Sequence, residues 1–155
     1  MARIVVAGYG NPLRGDDGVG WRVAESVAEK WGERVCVLTG QQPAPEWAPV
    51  LAAADVAFLV DATREAVPGL CVRRLEPVAG GQLVDGHTFG PGHLLGLAAA
   101  LYGHVPESYL LLLPAENFDF GEGLSPTTAL AAERALRFLD RRLTACYSPG
   151  GGGGA

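Results

Sequence analysis

Arg3-Ile4-Val5-Val6-Ala7-Gly8-Tyr9-Gly10-Asn11-Pro12-Leu13-Arg14-Gly15-Asp16-Asp17-Gly18, running on into Val19 to Trp31, is the stretch that decides the fold. Its first part, Arg3 to Gly8, is a short, nearly unbroken apolar run ending on glycine. A run of that kind is apolar toward both faces and belongs in a parallel sheet. Its last part repeats at helical spacing. Val19, Val23, Val27 and Trp31 fall on one face, while Trp21, Arg22, Glu25, Glu29 and Lys30 lie elsewhere. A glycine-rich loop, Tyr9 to Gly18, joins the two. Gly32 is placed to end the helix.

The same alternation continues along the chain. Val35-Cys36-Val37-Leu38, Val56-Ala57-Phe58-Leu59-Val60-Asp61, Gly69 to Leu75 and Tyr109-Leu110-Leu111-Leu112-Leu113 predict further strands. Glu46 to Ala54 predicts a short helix. Pro91 suits the first position of a helix running to Tyr102, with Gly103 stopping it. Ser125-Pro126 is a hydroxyl cap followed by proline, so a last helix starts there and runs to about Leu143. Leu136, Leu139 and Leu143 line one of its faces, flanked by Leu130 and Phe138. The expectation is an α/β three-layer sandwich, with a mostly parallel, twisted sheet of about five strands and helices on both faces. Residues 1–147 read as one domain, and the glycine-rich residues 148–155 as a mobile tail.

Composition narrows the function. The chain has 155 residues, a formal net charge of −5 and 48% hydrophobic residues, which excludes a disordered chain. Its adjacent basic pairs, Arg73-Arg74 and Arg141-Arg142, make no stripe for phosphates, so no nucleic-acid partner is expected. The longest apolar stretch, Leu94 to Tyr102, is far short of the roughly 20 residues of a membrane span. The N-terminus runs straight into a strand pattern without the form of a signal peptide. Cys36, Cys71 and Cys146 are odd in number and widely spaced, which fits reduced thiols in a cytoplasm. Cys36 and Cys71 lie in strand-like runs and are expected as small buried hydrophobes. Without an obvious exposed apolar stripe, a monomer is expected.

In open α/β sheets, ligands bind beyond the carboxyl ends of the strands. There the first loop presents two adjacent carboxylates, Asp16 and Asp17, at a helix start. It is not a dinucleotide fingerprint, because Leu13 occupies a position that needs a small residue, nor a P-loop, because no Gly-Lys-Ser/Thr follows. Two readings of the pair stand side by side: Asp16 caps the helix with Asp17 solvated, or the pair serves a site. Asp61, at the end of an apolar strand, either caps the turn formed with Ala62-Thr63 or pairs with a charge. His87 lies in the Gly86-His87-Thr88-Phe89-Gly90 loop before a helix, and His93 in that helix's first turn; His104 follows Gly103 and reads as surface. Carboxylates and an imidazole at one sheet edge make a mixed oxygen and nitrogen set that suits a divalent transition ion.

The order Gly8-x-Gly10-Asn11-x-Leu13-x-x-Asp16-Asp17-Gly18-x-Gly20, then Val60-Asp61-Ala62, His87-x-Phe89-Gly90 and Gly121-Glu122-Gly123-Leu124-Ser125-Pro126, resembles the nickel–iron hydrogenase maturation proteases. The resemblance spans about residues 3 to 143. It implies an endopeptidase that removes a C-terminal extension from a hydrogenase large-subunit precursor after nickel insertion. It further implies that Asp17, Asp61 and His87 meet the nickel held by the precursor, with His93 the alternative to His87 and other divalent ions able to occupy the site. Asp17 and Asp61 would be catalytic, either through metal-polarised chemistry or with an aspartate as general base. Asp16 and Asn11 are secondary candidates. Thr39 to Glu46 departs from the glycine-rich or His-Gln loop common in the family, and Gly40, Gln41 and Gln42 are expected to touch substrate. A non-catalytic metal-binding chaperone of the precursor and a nucleotide-binding domain are the competing functions.

Overall fold

The computed structural model describes residues 2–78 and 89–147. Five strands form one sheet: β1 Ile4–Tyr9, β2 Cys36–Gly40, β3 Val56–Thr63, β4 Cys71–Leu75 and β5 Glu107–Pro114. Their order across the sheet is β2-β1-β3-β5-β4. All neighbours run parallel except β4, which pairs antiparallel with β5. Four α-helices accompany them: α1 Val19–Trp31, α2 Ala48–Ala52, α3 Pro91–Tyr102 and α4 Pro126–Tyr147.

The strands are apolar on both faces because each face carries its own core. Ile4, Val6, Phe58, Val60, Leu111 and Leu113 point to α1 and α4, where Val19, Val23, Val27, Trp31, Leu139 and Leu143 meet them. Val5, Ala7, Tyr9, Ala57 and Leu59 point the other way, to α2 and α3 with Leu51, Leu94, Leu95 and Ala98. This is the expected three-layer sandwich. The four residues read as the buried stripe of α1 are all buried. Gly32 and Gly103 end α1 and α3 with positive φ, as the sequence indicated.

Five details differ from the sequence reading. β3 continues past Asp61 to Thr63, because its ladder with β5 runs on to Thr63 opposite Pro114. The strand expected over Gly69–Leu75 begins only at Cys71, after Gly69 turns with a positive φ. α4 extends to Tyr147, where the Tyr147 hydroxyl donates to the Ala2 carbonyl at 2.9 Å and the ring packs on Trp31. The buried seam of α4 is Thr128, Ala131, Ala135, Leu139 and Leu143, so Leu136 is only partly buried and Leu130 is exposed. Cys36 is exposed and Cys71 half-buried, not core residues, because β2 and β4 are the two sheet edges. No described helix is long and apolar enough to cross a membrane.

α1 lies against the sheet at a glycine-to-glycine contact. A Cβ on Gly8 would overlap the Gly20 carbonyl, and one on Gly20 would meet the Tyr9 carbonyl at 2.8 Å and overlap that of Val60. Backbone cannot yield there without moving the helix. Gly20→Ala is therefore expected to destabilise the protein by about 1–3 kcal/mol, as overpacking of a tight core does. A urea-unfolding midpoint equal to that of the parent protein would refute the close packing.

Candidate active site

The carboxyl ends of β1, β2 and β3 lie side by side, and each delivers a segment singled out in the sequence. β1 opens into the Gly10–Gly18 loop. The Gly10 amide donates to the Gly40 carbonyl at 3.1 Å, tying that loop to the end of β2. Gly40 is half-buried, and Gln41 and Gln42 beyond it are exposed at the same sheet edge. β3 carries Asp61 one step beyond Val60, which is paired with Gly8 of β1.

The two loop aspartates have different surroundings. Asp16 is fully buried. One of its carboxylate oxygens accepts from the Glu116 amide at 2.8 Å, the Asn117 amide at 2.9 Å and the Ser125 hydroxyl at 2.8 Å, and the other from the Ser125 amide at 2.7 Å. Burial raises the Asp16 pKa, but the donors from Ser125, Asn117 and Glu116 outweigh it and hold the group down at about 2. Asp16 is thus no helix cap; it fastens the 115–125 loop to the first loop. A parallel bridge of Arg14 with Gly121 completes that junction.

Asp17 is not simply solvated. It is half-buried, and its carboxylate accepts the Asn11 amide at 2.8 Å. A Cβ on Gly10, which has a φ of +136°, would overlap the Asp17 carbonyl. Asn11 itself shapes the turn: its side-chain oxygen accepts from the Leu13 amide at 2.9 Å, an Asx turn. Asn11, a secondary site candidate, therefore supports the loop that holds Asp17.

Asp61 does not cap a turn, since the strand continues through it. Burial raises its pKa to about 6; the Ala62 amide lowers it, the Asp17 charge raises it again, and the Tyr9 hydroxyl lowers it. Two carboxylates, Asp17 from the loop after β1 and Asp61 from β3, thus share one electrostatic environment at the sheet edge, the arrangement typical of a functional site. Tyr9 was not picked out from the sequence. The available signal was its position: an aromatic residue on the same face as Val5 and Ala7, at the strand end nearest the site.

The histidines separate. His87 lies outside the described residues. His93 is at the third position of α3, where its Nδ1 accepts from the Gly90 amide at 3.1 Å and its ring tilts against Phe89. That is half of a capping box, with glycine supplying no side chain for the other half. Among the described residues no group of three His, Cys, Asp or Glu is arranged to hold a metal ion. His104, read as surface, is exposed and contacts the Ala54 carbonyl at 2.9 Å. The rim of the site exposes Leu13 (56%) and Phe120 (81%), with the Arg14 guanidinium 4.9 Å from the Phe120 ring centre. α3 starts on the sheet face that also carries Asp61, and Phe89 packs into that face's core.

No family model matches the chain. The hydrogenase expression/formation protein HupD of Thiocapsa roseopersicina is 32% identical over 149 residues, covering 88% of this chain and 67% of that protein. The hydrogenase maturating endopeptidase HybD from Escherichia coli superposes with a TM-score of 0.67 at 25% identity, covering 94% of both chains. The chain belongs to the hydrogenase maturation proteases. The family's HycI from Thermococcus kodakarensis is equally similar, with a TM-score of 0.67, 25% identity and coverage of 92% and 90%. The maturation-protease fold accounts for the sheet described above, and the chain is accordingly a hydrolase acting in hydrogenase maturation.

Proposed function

We propose that this maturation protease removes the C-terminal extension of a nickel–iron hydrogenase large-subunit precursor once nickel is in place. Asp17, Asp61 and His87 recognise the precursor-held nickel, and Gly40, Gln41 and Gln42 contact the precursor chain. The observation that carries this reading is the Asp17–Asp61 pair at the carboxyl ends of a parallel sheet, with Asp61 raised to about 6. A carboxylate near neutrality in its pKa is matched to moving a proton at working pH. Leu13 and Phe120, exposed in the two joined loops, offer apolar surface to a polypeptide.

The chemistry needs few groups. Water oxygen bonds to the scissile carbonyl carbon, the C–N bond breaks, and the leaving amine takes up a proton. Asp61 accepts the proton from the attacking water. Asp17, held by the Asn11 amide, presents a fixed charge to the metal carried by the substrate. Open positions on that metal are filled jointly by enzyme and precursor, so an unloaded precursor is bound weakly and left uncut.

The test is mass spectrometry of nickel-loaded and nickel-free precursor incubated with the parent protein and with Asp17→Asn, His87→Ala and His93→Ala. Trimming of only the loaded precursor is expected. Asp17→Asn and His87→Ala are expected to lose at least about a hundredfold in rate, as for a lost metal contact. His93→Ala, which removes a cap, is expected to trim normally. Complex formation without any mass change by the parent protein would instead favour the chaperone reading. Normal trimming by Asp17→Asn would overturn the assignment of the pair.

A further inference from the structure

Tyr9 is the last residue of β1. The strand register pairs Gly8 with Val60. One step further along both strands, Tyr9 stands beside Asp61 on the α2/α3 face, where it belongs to one buried cluster with Trp47, Ala48 and Leu51. The residue is only 5% exposed, and its buried hydroxyl makes no full hydrogen bond with any described residue. An unpaired buried hydroxyl is costly, and phenylalanine would pack the same space without it. The charged group beside that hydroxyl is the Asp61 carboxyl. A phenolic hydroxyl carries a proton and a carboxylate can only accept, so in the contact between Tyr9 and Asp61 the hydroxyl is the donor.

We propose that Tyr9 is the positioning residue for Asp61, its hydroxyl donating to one carboxylate oxygen and leaving the other turned toward the substrate. A small rotation of either side chain completes the bond. The ring is clamped between core residues from α2 and the strand, so the donor has a fixed origin. Well above pH 6 the carboxylate is charged with or without Tyr9, and what Tyr9 sets is its direction. This inference rests on the reading of Asp61 as a site residue.

Tyr9→Phe removes the hydroxyl and nothing else. Carbonyl-carbon NMR at pH 9, where Asp61 is ionised, reads the contact directly, with the Asp61 signal identified by its absence in Asp61→Asn. In Tyr9→Phe that signal is expected to move. The kcat for trimming nickel-loaded precursor is expected to fall about tenfold to a hundredfold, the usual effect of losing a group that orients a ligand. KM stays within about twofold and thermal stability is retained, because charge and packing are kept. A merely structural tyrosine would leave the Asp61 signal and kcat unchanged, and either result overturns the proposal. If Asp61→Asn itself trims normally, the reading of the site fails, while the NMR signal still decides whether Tyr9 holds Asp61.

Discussion

Asp16→Ala is expected to destabilise the protein by about 3–5 kcal/mol, the size of loss seen when one side of a buried charged network is removed. The side chain is fully buried and gathers the amides of Glu116, Asn117 and Ser125 together with the Ser125 hydroxyl. Removing the acceptor leaves those donors without their partner, and each buried unpaired donor costs about 1–3 kcal/mol. Relief by local loosening of the 115–125 loop keeps the total below the simple sum. The effect should appear as a fall in melting temperature of roughly 10 °C, at about 2–4 °C per kcal/mol for a chain of this size. Its pH dependence has a defined sign. The folded pKa, about 2, lies below the unfolded value of 3.8, so the stabilisation is present above pH 4 and fades as pH falls through 2. Parent and variant should therefore converge in acid. A variant that melts with the parent at pH 7 would show that the network is not what fastens the two loops.

Asp61→Asn is expected to do the opposite to stability while abolishing function. The folded Asp61 pKa of about 6 lies above its reference value of 3.8. The folded state therefore holds this proton more tightly, and the associated stability is present below pH 4 and lost as pH rises through 6. At neutral pH the ionised group strains the fold by up to about 3 kcal/mol, the equivalent of some two pK units. An uncharged, similarly shaped amide relieves that strain. The variant should melt higher than the parent at pH 8, by about 5–10 °C, and the gap should close toward pH 4. Trimming of nickel-loaded precursor should fall by about a thousandfold, within the range for loss of a general base. Equal melting temperatures at pH 8 would mean that Asp61 carries no strain.

The sheet and its helices were legible because the signals were local. Apolar runs bounded by Gly8, Gly32, Gly103 and Ser125-Pro126 need no tertiary information to be read. The strand order was not legible, since nothing in β4 announces that it pairs antiparallel at the far edge of β5. The two loop aspartates looked alike in sequence. They part company only because Ser125 and the Glu116–Asn117 backbone, a hundred residues away, turn toward Asp16 and not Asp17. The bond from the Gly90 amide to the His93 Nδ1 was not legible in the helix position of His93 alone. A glycine near the start of a helix gives no sign in sequence of what fills the space beside it. Gly92 receives the Val78 side chain, whose Cγ2 would lie 2.7 Å from an added Cβ.

That Val78 contact has a consequence for how far a substitution near α3 is felt. The Val78 amide donates to the Gly92 carbonyl at 2.8 Å, and its backbone crosses α3 at Gly96. Phe89, where the described chain resumes, is embedded beside the same helix. The described residues that flank positions 79–88, Val78 and Phe89, are thus both seated against α3. Because α3 holds both of these flanking residues by itself, substitutions between them, His87 aside, are expected to leave Asp17, Asp61 and the core beneath them untouched.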